Sequence, residues 1–169
     1  GDGRGRVRGR ARPNIRKAVE KAANHGKLRP FAYHRHLNYF RFRFAEENNL
    51  EAVLLNVLVF GDTKPEKEAK KWIRMVLVDT FRMDRNSSTD DAINCVSALL
   101  AIAYRVRNNM FHGNKSITTI HRYIYLFQAI NHLLATFLEQ AYPPEMPDVV
   151  LALGDSAWDA ESELSRPMK

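Results

Sequence analysis

The stretch 116–142, SITTIHRYIYLFQAINHLLATFLEQAY, constrains the fold of this chain more than any other. Ile120, Ile124, Phe127, Leu134 and Leu138 recur at helical spacing, and Leu126, Ile130, Leu133 and Phe137 lie beside them. A helix apolar over so wide a face needs partners on two sides. The chain's own bundle supplies one. A second subunit is the candidate for the other. Pro143-Pro144 stops the helix.

The same periodicity runs through most of the chain. After an Asn14 cap, NIRKAVEKAANHG reads as a helix ended by glycine. Pro30 opens PFAYHRHLNYFRFRFAEENN, where Phe31, Leu37, Phe40 and Phe44 fit a helical stripe. Phe40, Phe42 and Phe44 alternating with Arg41 and Arg43 would also suit a strand, but length and the lack of turn signals favour helix. NLEAVLLNVLVFGD is expected to be a short, mostly buried helix ended by Gly61. Thr63 to Glu66 starts another, with proline near its first turn. Ser88-Thr89-Asp90-Asp91 begins a long helix, its carboxylates at the positive end of the macrodipole. The core seam of that helix is Ile93, Val96, Leu100 and Ala103/Tyr104, followed by Arg107 and Phe111. No repeat and no convincing strand emerges. The expected fold is an all-α bundle of about five or six helices.

The chain has 169 residues and is 45% apolar, enough for one domain with a core. Its longest apolar runs are too short to cross a bilayer, and no segment resembles a secretory signal. Cys95 is the single cysteine, so no internal disulfide forms. A buried, inert thiol in a reducing cytoplasm is the expectation. The net charge of +7 is unevenly spread. Residues 1–43 carry 13 basic residues against Asp2 and Glu20, residues 44–142 balance at 11 of each sign, and residues 143–169 carry six carboxylates against Arg166 and Lys169. The expected division is a basic Arg/Gly-rich flexible segment (1–13), an all-α domain (14–142) and an acidic C-terminal tail (143–169). The basic excess points to a polyanionic partner, nucleic acid before membrane, or else to a solubilising tail. The two charged ends are also placed to pair with each other.

Residues 105–113, RVRNNMFHG, place two arginines, two asparagines and a histidine at the end of an apolar helix. Residues seven apart on a helix differ by about 20° in direction, so Arg107 should point where Leu100 points. Arg105, about 140° from Leu100, should face solvent. A guanidinium on a core-facing stripe needs an anion or a wet cleft. Asn108 and His112 are four apart on one face, so the amide can hold the imidazole. Gly113 permits the left-handed turn that frees His112. The helix C-terminus favours protonated His112 and Arg107 opposes it, which suits an acid–base group near neutral pH. The alternative is a polar helix cap.

AIAYRVRNNMFHGNKS resembles the signature of the HEPN domain family: an arginine, a polar residue that is often asparagine, a short gap, then histidine and glycine. HLNYFRFRFAEENNL resembles, more loosely, an aromatic helix found earlier in such chains. The closer likeness spans roughly residues 88–141. Both Arg105 and Arg107 satisfy the spacing, as does Arg29 with His34 and His36, but Pro30 follows Arg29 and no helix leads into it. The seam and the following asparagine select Arg107. The resemblance implies a metal-independent endoribonuclease without cofactor. In it Arg107 binds the scissile phosphate, His112 moves a proton, Asn108 orients the pair, and the RNA 2′-hydroxyl attacks. It further implies a homodimer that brings two motifs together, a role as a toxin or defence effector, and a cognate antitoxin or other regulatory protein. Many members of the family act instead as non-catalytic binding or dimerisation modules.

Arg105, Lys115, Arg41 and Arg43 are the candidate RNA-binding residues, and Tyr104 is a candidate cleft residue. For Lys115 and Tyr104 a solvated lysine and a core tyrosine are the competing readings. Residues 39–44 either stack bases or pack in the core. His34 and His36 do not face together, and His121 and His132 lie about 16 Å apart along a helix, so neither pair makes a metal site. No phosphate-binding glycine loop or Ser-His-Asp order is present.

Overall fold

In a computed structural model, residues 14–78, 83, 86–111 and 123–142 are described. The expectations for the basic segment 1–13, the tail 143–169, His112, Gly113, Lys115 and His121 lie outside them. Among the described residues there are six α-helices and no strand, as the periodicity predicts. They are α1 (Ile15–Asn24), α2 (His34–Arg41), α3 (Leu50–Ala52), α4 (Lys64–Val78), α5 (Thr89–Phe111) and α6 (Ile124–Ala141).

Local chemistry sets the ends. Asn14 Oδ1 accepts the Lys17 amide (3.0 Å) at the start of α1. At its end Gly26 is left-handed (φ +68°), which lets the Lys27 amide reach back to Ala22 O (2.9 Å) and the Gly26 amide to Ala23 O (3.0 Å). Thr63 and Ser88 accept the amides of Glu66 (3.4 Å) and Asp91 (3.0 Å) at the starts of α4 and α5.

α5 forms the centre of the bundle. Its segment AINCVSALLAIA is apolar and small on every side, so almost every residue from Ala92 to Ala103 is buried. α1, α2, α4 and α6 all pack on it. The helix wrapped on all sides is therefore α5. α6 buries Leu126, Ile130, Leu133 and Phe137 but leaves Ile124, Tyr125 and Leu138 exposed.

The helix geometry of residues 30–58 is not uniform. Pro30–Tyr33 is a 3₁₀ turn leading into α2, and Phe42–Glu46 is a π-helical turn leaving it. α3 passes into a second π-helical turn, Val53–Val57, closed by the Leu58 amide on Val53 O (2.8 Å). Two expectations for this segment need correcting. The helix stops at Val57, four residues before Gly61, and Leu55, Val57 and Val59 are exposed rather than buried. The left-handed residue is Val59 (φ +54°), a conformation that a β-branched side chain rarely adopts. The residues on either side of it, Leu58 and Phe60, are both buried.

Candidate functional site

The polar end of α5 divides into two groups. Arg105 and Asn109, one turn apart, grip the end of the α3 segment. Arg105 donates from Nε to Leu58 O (2.9 Å) and from Nη2 to Val59 O (2.5 Å), while Asn109 Nδ2 donates to Val57 O (2.8 Å). These three successive carbonyls follow a helix end and have no next turn to bond to. The Arg105 guanidinium also lies 5.5 Å from the centre of the Phe60 ring. Arg105 is thus half-buried and structural, not solvent-facing as helical angles suggest.

Arg107 is exposed, although its angle matches that of buried Leu100. The angular argument assumed a single covered face running the length of the helix. In fact the middle of α5 is covered all round, while from Tyr104 to Asn109 only Val106 is buried. The same residue direction therefore meets core at Leu100 and surface at Arg107. Arg105 faces outward from the Leu100 side, yet finds a neighbour there in the turn after α3.

Tyr104 and Asn108 are half-buried and, with Arg105, line a cleft of about 750 Å³ between α1, α4 and α5. Asn108 thus belongs to a concave surface, and Arg107, next in the chain, lies at the exterior. His112, the third member of the expected constellation, falls outside the described residues.

Arg41 and Arg43 are held by the fold. Arg41 Nη2 donates to Val76 O (2.8 Å), one of the last carbonyls of α4, where a cation also suits the helix dipole. Arg43 is half-buried, its guanidinium 5.8 Å from the Tyr123 ring centre. Tyr39, Phe40 and Phe44 are buried, and Phe40 and Phe44 stack at 5.8 Å, so these three belong to the core, while Phe42 is half-buried.

Sequence reasoning missed a polar pair, buried His36 with half-buried His132. His36 Nε2 and His132 Nδ1 are 2.8 Å apart, joining α2 to α6, so one ring must donate to the other. Burial, then His132, Arg35 and His34, push the His36 ring down to about 3, so it is neutral near pH 7. Nearby, the Tyr33 hydroxyl and the Arg29 amide both donate to Gln140 Oε1 (2.9 and 3.0 Å). The signal for His36 was its place one turn before Phe40 on the core stripe; its partner, 96 residues away, left none. Cys95 is fully buried, and burial raises its thiol well above the usual range, which makes it a poor nucleophile.

Among the described residues, no three His, Cys, Asp or Glu side chains gather as metal ligands, and no helix is long and apolar enough to cross a membrane. Compared with protein-family models, curated proteins and solved structures, the chain matches none.

Proposed function

We propose that this chain is an HEPN-like endoribonuclease whose site is built from Arg107, Asn108 and His112. The observation that carries the reading is the order Arg-Asn-x-x-x-His-Gly at the end of the longest described helix, with Arg107 exposed and Asn108 on a cleft. Of the two arginines that satisfy the spacing, Arg107 is the more exposed and the one followed by asparagine, which supports it as the phosphate ligand.

The chemistry follows from the residue types. The 2′-oxygen of the RNA forms a bond to phosphorus as its proton leaves to a base. The bond from phosphorus to the 5′-oxygen breaks, and that oxygen takes up a proton. The products carry a 2′,3′-cyclic phosphate and a 5′-hydroxyl. The Arg107 guanidinium offsets charge on the phosphorane, His112 moves protons, and the Asn108 amide orients the ring. A homodimer through the exposed face of α6 brings two such motifs into one cleft, Lys115 holds a flanking phosphate, and a regulatory protein such as an antitoxin controls the activity. The buried single cysteine favours a cytoplasmic setting.

A labelled single-stranded RNA incubated with the protein in EDTA tests the reading. Wild type is expected to cut and leave cyclic phosphate ends, while His112→Ala and Arg107→Ala each lose about 100-fold or more in rate. Intact RNA with wild type, or equal cutting by the variants, overturns it. The second reading is a non-catalytic binding module. Its support is that Arg105 and Asn109 already serve the fold, and RNA binding without cleavage would establish it.

A further inference from the structure

The cleft between α1, α4 and α5 has features that its place in the bundle does not explain. Its lining includes Ser97, which is 1% exposed and whose hydroxyl has no hydrogen-bond partner among the described residues. A buried hydroxyl is normally satisfied, so an orphan one in the wall of a cleft points to a missing partner. Ala69 and Ala101 lie beside it in the lining, and larger side chains there would fill the space. Trp72 and Tyr104, both half-buried, supply aromatic surface, and the Arg16 guanidinium lies 4.3 Å from the centre of the Trp72 ring. The volume of about 750 Å³ falls within the range of roughly 300–1,000 Å³ typical of small-molecule sites.

Charge decides what kind of ligand fits. Arg16, Lys17 and Arg105 are matched by Glu20, Glu66 and Glu68, so the lining is balanced. Several of these charges are already paired: Arg16 with Glu20 at 3.1 Å, Arg105 with backbone carbonyls, and Glu66 with the Gly61 amide at 2.6 Å. A phosphate inside would meet carboxylates and no uncommitted cluster of cations. A neutral, flat ring with polar edges would meet the Tyr104 ring, the guanidinium plane that Arg16 lays on Trp72 and, in the cleft wall, one unsatisfied hydroxyl. Tryptophan and tyrosine surfaces take any base by its π-face, and a single hydroxyl can donate or accept at its edge.

We propose that this cleft is a nucleobase-binding subsite, taking one base of the RNA strand while the sugar-phosphate chain stays outside on the Arg107 side. Asn108 belongs to the cleft lining and is adjacent in the chain to Arg107, so a base seated in the cleft would hold the strand beside the proposed cutting site. That the base belongs to an RNA strand rests on the ribonuclease reading. That a base binds does not.

The test uses the full chain carrying Trp158→Phe, which leaves Trp72 as the single tryptophan, and His112→Ala, which removes cleavage. Each of the four nucleoside 5′-monophosphates is titrated to about 10 mM while Trp72 fluorescence is followed, with ribose 5-phosphate as the base-free control. At least one nucleotide is expected to give a saturable change, and ribose 5-phosphate none. Ser97→Ala should weaken that binding about 3- to 10-fold without lowering the melting temperature by more than a few degrees. Ala101→Leu, checked for folding by circular dichroism, should abolish it. No saturation with any nucleotide, an equal response to ribose 5-phosphate, or unchanged binding in Ser97→Ala each overturns the proposal. Base binding by a protein that leaves RNA intact would retain the cleft and remove the catalytic reading. RNA cleavage without base binding would do the reverse.

Discussion

His36 shows how one residue's surroundings decide its chemistry. On sequence it is one of two alternating histidines; in the bundle it is fully buried against His132. Its ring in the folded state is pushed down to about 3, whereas an unfolded histidine titrates near 6.5. The unfolded chain therefore binds the proton more readily between these values. The stabilising effect of neutral His36 is fully present above pH 6.5 and is lost progressively as pH falls towards 3. Urea unfolding midpoints measured from pH 7 to pH 4 should fall, and the fall should be shallower in His36→Gln, whose amide can still bond His132. An equal slope in both proteins would rule out this residue as the source. Arg105 and Arg107 teach the same lesson. They are two positions apart with the same charge, yet one is committed to carbonyls and the other is exposed.

At the scale of elements, most helices were legible because their signals are local. Asn14, Thr63 and Ser88 each cap the helix expected of them, and Gly26 closes α1. The α3 segment was less legible because its end is fixed from outside. Its carbonyls are held by Arg105 and Asn109, about 50 residues later in the chain, and Val59, a β-branched residue, takes a left-handed backbone. This clamp gives a prediction for the element. Arg105→Ala leaves two carbonyls without their donor and removes the contact with Phe60. It should cost about 2 kcal/mol of stability in denaturant titration, a value tempered by the partial exposure of the site. Amide exchange should quicken first in residues 53–60. A loss spread evenly over all helices would argue against a local clamp.

For the whole molecule, the all-α bundle follows from helical periodicity repeated along the chain. The second face of α6 gives a prediction at this scale. Ile124 and Leu138 are 41% and 47% exposed and lie on one side of the helix with Tyr125 nearby. If that face joins two chains, Leu138→Glu should convert a dimer into a monomer in sedimentation, keep its helical circular dichroism, and lower RNA cleavage along with dimer content. A monomeric wild type, or an unchanged dimer in the variant, would remove α6 from the interface.

Sequence by itself determined the helical class, most helix starts, the buried thiol and the polar segment worth attention, because periodicity, caps and composition act within a few residues. Only the tertiary structure decided which arginine serves the fold, which helix is central and that Ser97 and Asn108 share a cleft. Those outcomes depend on which neighbour covers each face. Coverage is set by packing between residues about 50 to 100 positions apart, for which a single sequence carries no local mark.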